Sequence, residues 1–165
     1  MKRGNVEVIC GEGLGKTSLA LGKGLSALME HKRVIMIQFL KGCSPKDEQE
    51  ILERLEPDFK VFRFEKSNTF FEELSEEEKA EELINIRNGF NFARKVATGE
   101  CDVLILDEVL GIIDQNIITL EDVEKLLEVK EEDLNLVMTG KVFPEKLKPY
   151  VDAISRIEYI QNLQD

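Results

Sequence analysis

The sequence has no tryptophan, one histidine and three cysteines among its 165 residues. Cys10, Cys43 and Cys101 are odd in number and widely spaced, so they fit neither a disulfide framework nor a zinc site. We expect them to be small, partly buried thiols. His31 falls in a predicted helix-to-strand loop, where a surface position is expected rather than a catalytic one. These shortages disfavour zinc, disulfide and histidine chemistry.

Long apolar runs and basic blocks are also missing. No stretch approaches the length of a membrane span, and the apolar run after the basic N-terminus is too short for a signal peptide. Lys and Arg number 22 against 33 Asp and Glu, which gives a net charge of −11. No lysine- or arginine-rich block offsets this charge, which opposes binding to nucleic acid. We therefore expect a cytoplasmic protein that binds neither nucleic acid nor a membrane.

The chain shows no internal repeat, no low-complexity segment and no linker rich in Pro, Gly or Ser. Its length and its 42% hydrophobic and 33% charged residues predict one globular domain, residues 1–165. Strand and helix patterns alternate, which predicts a parallel sheet between two helix layers. The predicted strands are residues 6–10, 34–38, 60–64, 103–107, 134–139 and 153–159. The predicted helices are residues 17–30, 47–55, 75–97, 120–128 and 145–150.

A glycine-rich segment follows the first predicted strand and reads Gly-Glu-Gly-Leu-Gly-Lys-Thr-Ser. Such a backbone can curl so that successive N–H groups face one concavity, while Lys16 supplies a charge and Thr17 a magnesium ligand. This layout is typical of a phosphate-binding P-loop, although Cys10 stands where the usual pattern has its first glycine. The alternative, a turn without a ligand, leaves Lys16 and Thr17 unexplained. The predicted phosphate-binding residues are Gly11, Glu12, Gly13, Leu14, Gly15, Lys16, Thr17 and Ser18.

A second signal is the pair Asp107-Glu108, which ends a predicted strand of four aliphatic residues. In P-loop proteins an acidic residue at this place helps to hold the magnesium ion that neutralises the phosphates. We assign Asp107, with Thr17, to the metal, and Glu108 to a supporting position or to the nucleotide. An acidic strand end without a function is the alternative. The predicted catalytic residues are Lys16, Thr17, Asp107 and Glu108.

The carboxyl ends of parallel strands meet at one edge of a sheet, and ligands bind there. The glycine-rich segment, Lys41-Gly42, Asp107-Glu108 and the run Thr139-Gly140-Lys141 each follow a predicted strand. We therefore expect these four segments to converge on one site.

Four motifs together resemble a known family, the ATP:corrinoid adenosyltransferases. They are Gly-Glu-Gly-Leu-Gly-Lys-Thr, Ile-Gln-Phe-Leu-Lys-Gly, Leu-Asp-Glu and Thr-Gly-Lys, in that order. The likeness runs from about Val6 to Ala153, and this family also lacks the first P-loop glycine. The resemblance implies an α/β fold of the P-loop NTPase-like (RecA-like) class, with three α/β/α layers and a mainly parallel sheet of about six strands.

The resemblance also implies an activity: transfer of the 5′-deoxyadenosyl group of ATP to the Co(I) centre of a reduced corrinoid, with release of triphosphate. ATP and the corrinoid are then the substrates and Mg²⁺ or Mn²⁺ the cofactor. A homodimer and a flavoprotein reductase are candidate partners. Gln38, Lys41, Thr139 and Lys141 join the nucleotide-binding residues. Lys141 replaces the family's arginine and loses its two-pronged contact, and an exposed lysine without a role is the alternative.

The corrinoid side of the resemblance depends on Phe70 and Phe71. They precede the long predicted helix, where the family has aromatic residues that include a tryptophan. The two phenylalanines could equally be core residues. Two other functions stay open: a P-loop ATPase or small-molecule kinase that attacks the γ-phosphate, and a non-catalytic nucleotide- or corrinoid-binding protein.

Overall fold

A computed structural model describes residues 3–164, in which the strands form one fully parallel sheet. The strands are β1 (Val6–Cys10), β2 (Val34–Gln38), β3 (Phe59–Phe62), β4 (Val103–Asp107), β5 (Asn135–Thr139) and β6 (Ala153–Arg156). Their order across the sheet is β3-β2-β4-β5-β1-β6. The glycine-rich segment thus leaves β1 next to β5, and β5 separates it from the acidic end of β4.

Helices connect the strands. They are α1 (Lys16–Met29), α2 (Lys46–Glu53), α3 (Glu76–Val96), α4 (Val109–Asp114) and α5 (Leu120–Val129), with 3-10 helices at Phe71–Glu73 and Glu145–Tyr150. The helix predicted at residues 145–150 is 3-10 and contains Pro149, which lacks an N–H donor. The sequence patterns missed α4 and the first 3-10 helix. No helix between residues 3 and 164 combines the length and apolar character needed to cross a membrane.

Two clusters of buried apolar side chains cover the two faces of the sheet. On one face Ala20 and Ala27 of α1 pack against strand residues such as Ile105. On the other face, side chains of α3, α4 and α5 form the larger cluster, with Phe90 and Leu126 among them. Fully parallel sheets are buried in this way because their crossover helices cover both faces. The three-layer arrangement confirms the predicted fold class.

Two strand ends differ from the prediction. β3 ends at Phe62 instead of residue 64, and β6 ends at Arg156 instead of residue 159. β6 is an exposed edge strand. Beyond it, the N–H of Ile157 donates to the carbonyl of Cys10, and the carbonyl of Ile157 accepts from Gly13. The chain after β6 therefore lies along the glycine-rich segment.

The remaining predictions outside the site concern the cysteines and the histidine. Cys10 and Cys101 are buried, Cys43 is half-buried, and all three are free thiols. Burial raises the pKa of the Cys101 thiol to about 12, so it stays protonated at neutral pH. His31 is exposed in the turn between α1 and β2, as predicted.

Two glycines of α1 should respond in opposite ways to alanine. A Cβ at Gly24 would overlap the ring of Phe59, whereas a Cβ at Gly22 would meet nothing within 4 Å. Gly24→Ala should therefore lower the free energy of unfolding by about 1–3 kcal/mol through overpacking. Gly22→Ala, the matched control, should raise it by about 0.5–1 kcal/mol through helix propensity. Urea unfolding of both variants checks this, and equal effects would contradict the close packing of α1 on the sheet.

Candidate nucleotide-binding site

The glycine-rich segment forms a curled loop between β1 and α1. Gly11 and Gly15 have φ of 114° and 107°, a backbone region that glycine adopts readily. α1 begins at Lys16 without a side-chain cap. The N–H groups of a helix's first turn have no intrahelical partner, so they can bind an anion, and the helix dipole favours one.

The side chain of Lys16 folds over this loop. Its Nζ donates to the carbonyl of Gly11 at 2.7 Å and to that of Gly13 at 2.9 Å. The ammonium is thereby held within the span of the loop, where a phosphate chain bound to the helix start would meet it. The loop thus combines backbone donors with a fixed positive charge.

The same loop has two further sets of contacts, one with the segment after β6 and one within the residue pair Glu12–Lys141. The N–H of Gly13 donates to the carbonyl of Ile157 at 3.0 Å, and that of Leu14 donates to the hydroxyl of Tyr159 at 3.3 Å. Lys141 Nζ lies 3.6 Å from a carboxylate oxygen of Glu12, in an exposed pair. Exposed pairs of this kind contribute little to stability.

Asp107 is completely buried and is the centre of the site's hydrogen bonds. The hydroxyl of Thr17 lies 3.0 and 3.1 Å from its two carboxylate oxygens. The hydroxyl of Thr139 donates to it at 2.7 Å, and the amide of Gln38 at 3.3 Å. Thr139, predicted among the nucleotide-binding residues, is itself fully buried. We propose that Thr139 acts by holding Asp107.

Lys41 places a positive charge at the same point. Its Nζ lies 3.0 Å from Thr17 Oγ1 and 3.4 Å from Asp107 Oδ2. The ammonium therefore stands beside a hydroxyl and a carboxylate, the hard oxygen ligands that Mg²⁺ prefers. Mg²⁺ at nucleotide sites commonly takes one or two protein ligands and completes its shell with phosphates and water. Thr17 and Asp107 fit that requirement.

A chain of polar groups supports the Gln38 side chain from the side of β3. Arg63 Nε donates to Gln38 Oε1 at 2.7 Å, and Arg63 Nη2 lies 2.9 Å from Glu48 Oε1. The Arg63 side chain is only 9% exposed. Because the Gln38 oxygen accepts from Arg63, its NH₂ group is left to face Asp107.

Glu108 follows Asp107 in a left-handed backbone conformation, with φ of 64°. Its N–H donates to the hydroxyl of Thr139 at 2.8 Å. Burial, and then the charge of Asp107, raises the pKa of the Glu108 carboxyl. The carboxyl leans over Gly111, where a Cβ would lie 2.8 Å from Glu108 Oε1. Glu108 is thus a carboxyl whose surroundings favour the protonated form more than water does.

A cavity of about 240 Å³ lies beside Lys41. Its lining includes Leu40, Lys41 and Gly42 together with Phe70 and Phe71. The Phe70 side chain is 77% exposed, so the alternative that it is a core residue is wrong. Phe71 is half-buried. An exposed aromatic ring at a cavity is a feature of binding surfaces.

The structure therefore brings together the four segments that follow predicted strands, as expected from the parallel sheet. Arg63, Glu65 and Tyr159 also lie at this site, although no sequence motif indicated them. Arg63 and Glu65 come directly after β3, and this position at the carboxyl edge of a parallel strand was the available signal. No comparable signal pointed to Tyr159, because its contact with Leu14 spans 145 positions of sequence.

The fold of the chain is similar to that of a solved protein. The crystal structure of a KaiC-like protein from Pyrococcus horikoshii matches with a TM-score of 0.57 at 14% identity, covering 98% of this chain and 75% of that one. At this identity the likeness concerns the fold alone, and it agrees with the P-loop NTPase-like (RecA-like) class.

Comparisons of sequence give the family. The chain is 24% identical over 169 residues to the corrinoid adenosyltransferase of Escherichia coli K12, covering 99% of this chain and 81% of the relative. It is 25% identical over 164 residues to corrinoid adenosyltransferase CobA of Salmonella typhimurium, with the same coverage. A family model described as ATP:corrinoid adenosyltransferase BtuR/CobO/CobP matches residues 2–164. The chain belongs to the ATP:corrinoid adenosyltransferase family, a family of transferases.

Proposed function

We propose that this protein transfers the 5′-deoxyadenosyl group of ATP to the Co(I) centre of a reduced corrinoid. In this reaction Co(I) donates its electron pair to C5′ of ATP, and the bond between C5′ and the phosphate oxygen breaks. Triphosphate leaves with the bonding electrons. The observation that carries the proposal is the position of Lys41. Its ammonium contacts Thr17 and Asp107, while the same residue lines the cavity beside Phe70. The nucleotide loop and the cavity lined by aromatic side chains are therefore adjacent, with Lys41 between them.

The loop suits the departure of a triphosphate. Negative charge grows on the leaving group, and the helix start together with Lys16 supplies fixed donors and a positive charge. Thr17 and Asp107 would hold Mg²⁺, which neutralises phosphate charge when bound. Gln38 and Thr139 keep the Asp107 carboxylate oriented, because both donate hydrogen bonds to it. The nucleophile is the reduced cobalt of the substrate, so no protein base has to remove a proton.

The corrinoid is proposed to bind at the cavity beside Lys41. Phe70 is the exposed apolar group there and could lie against the macrocycle, with Phe71 supporting it from a half-buried position. Glu12, Leu14 and Lys141 stay proposed nucleotide contacts at the rim of the loop. A cytoplasmic location, a homodimer, a flavoprotein reductase and Mn²⁺ as an alternative metal remain predictions from the family.

One observation favours a second candidate, attack of water on the γ-phosphate. Glu108 is the half-buried carboxyl next to the metal-side Asp107, and its raised pKa is suited to accepting a proton. In that case the protein would be an ATPase that yields ADP and phosphate.

The direct test mixes the protein with Mg-ATP and chemically reduced cobalamin under anaerobic conditions. We expect a light-sensitive product with the visible spectrum of an adenosylated corrinoid. The same mixture without protein is the control. Absence of a cobalt–carbon product with reduced cobalamin and with reduced corrinoid precursors would contradict the proposal.

A further inference from the structure

The loop that carries Lys41 has an unusual backbone. Leu40 and Gly42, on either side of Lys41, have φ of 59° and 67°. A left-handed conformation is unfavourable for a residue such as leucine and persists only when its surroundings hold it. Gly42 also lies so close to the carbonyl of Ser67 that a Cβ would overlap it. The conformation of this loop therefore depends on the segment that follows β3.

The carboxylate of Glu65 bridges the loop. Its Oε1 accepts from the N–H of Leu40 at 2.6 Å, and its Oε2 accepts from the N–H of Gly42 at 3.0 Å. The N–H of Cys43 donates to the carbonyl of Ser67 at 3.0 Å and continues the contact. Burial raises the pKa of the Glu65 carboxyl, and the two N–H donors act in the opposite direction. The carboxylate thus gives both of its oxygens to the backbone around Lys41.

The side chain of Lys41 reaches from this anchored backbone to the metal side of the loop. Its Nζ is 3.0 Å from Thr17 Oγ1 and 3.4 Å from Asp107 Oδ2, and Asp107 is completely buried. An ammonium on a flexible stem gains most when its backbone is fixed in advance. Releasing Leu40 and Gly42 would let the stem of Lys41 leave this position.

We infer that Glu65 is a positioning residue of the nucleotide site, which holds Lys41 beside Thr17 and Asp107 through the N–H groups of Leu40 and Gly42. The inference rests on the proposed function for its nucleotide, ATP. The inference goes beyond the proposed function because it gives a role to Glu65, a residue outside all four sequence motifs. Glu65 acts through Lys41 and need not touch the substrate.

The test measures the affinity for Mg-ATP by calorimetry, without a corrinoid, in Glu65→Gln, Lys41→Met and the double variant. Glutamine keeps one acceptor oxygen and turns an NH₂ group towards the second N–H donor. We expect Glu65→Gln to weaken Mg-ATP binding by roughly 5-fold to 10-fold. If Glu65 acts through Lys41, the double variant should bind no more weakly than Lys41→Met alone.

The matched control is Glu82→Gln. Glu82 is a buried carboxylate of the same neighbourhood, but it accepts from the N–H of Lys66 and from Asn85. It should leave Mg-ATP affinity unchanged. Wild-type affinity in Glu65→Gln, or losses that add fully in the double variant, would overturn the inference. If Glu65→Gln does not fold, Glu65→Asp, whose shorter side chain cannot reach both N–H groups, is measured in the same way.

Hydrogen exchange tests the anchor separately from the nucleotide. The amides of Leu40 and Gly42 should lose protection in Glu65→Gln and keep it in Glu82→Gln. Unchanged protection in Glu65→Gln would overturn the inference. This measurement needs no ligand. If the wild-type protein failed to bind Mg-ATP, the proposed function would be refuted, but the exchange data would still test whether Glu65 holds the backbone of Leu40 and Gly42.

Discussion

Replacing Lys16 by alanine should lower kcat/KM for adenosyl transfer by roughly 100-fold to 1000-fold. The Lys16 ammonium is held over the loop by the carbonyls of Gly11 and Gly13. In the proposed reaction, negative charge increases on the departing triphosphate as the bond to C5′ breaks. A fixed positive charge there stabilises the transition state more than the bound substrate. The loss should therefore appear in kcat as well as in KM.

Lys23→Ala is the matched control for this variant. Lys23 lies in the same helix and pairs with Glu7 at 2.7 Å, on a partly exposed surface. Its removal changes the net charge equally but leaves the loop intact, so kcat/KM should stay near the wild-type value. Steady-state kinetics with saturating reduced cobalamin make the comparison. A Lys16→Ala enzyme within a few-fold of wild type would show that the loop does not bind the leaving group.

Asp107→Asn should remove most of the Mg²⁺ dependence and lower kcat/KM by roughly 100-fold or more. The carboxylate is fully buried and accepts from Thr17, Thr139 and Gln38. Asparagine keeps the shape but replaces one oxygen by an NH₂ group, which faces donors. The free energy of unfolding should fall by about 1–3 kcal/mol, since a buried donor loses its acceptor.

Two measurements check this variant: a Mg²⁺ titration of kcat/KM and urea unfolding. Asp102→Asn is the control. Asp102 precedes β4 at the opposite edge of the sheet, where it accepts from the N–H of Arg33 and is half exposed. We expect Asp102→Asn to leave the Mg²⁺ titration unchanged. An Asp107→Asn enzyme with wild-type Mg²⁺ dependence would exclude Asp107 from the metal site.

Local patterns predicted β2 and β4 because these strands are buried along their whole length. β2 and β4 read as apolar runs and lie where expected, since a strand covered on both faces leaves no polar position in its middle. β1 also lies where expected, although the half-buried Glu7 interrupts its apolar run. The capping boxes of Ser75 with Glu78 and Thr119 with Asp122 start α3 and α5. The six-residue helix α4 was missed, because its run Val-Leu-Gly-Ile-Ile is too short to show a helical period.

The residues of the site that belong to a sequence motif could be predicted. Thr17, next to Lys16 in the chain, meets Asp107 because a P-loop and an acidic strand end share the carboxyl edge of the sheet. The roles of Arg63 and Glu65 depend on contacts that span 25 positions of sequence. Local sequence patterns do not predict such contacts. The contacts form only because the crossover connections place β3 beside β2 in the order β3-β2-β4.

In the proposed reaction the nucleophile attacks C5′ of ATP and not its γ-phosphorus. One experiment tests it directly: quantifying, in a single reaction with Mg-ATP and reduced cobalamin, both the cobalt–carbon product and the phosphorus products by phosphorus NMR. We expect triphosphate and adenosylated corrinoid in equal amounts. ADP with inorganic phosphate, and no cobalt–carbon bond, would contradict the proposed reaction.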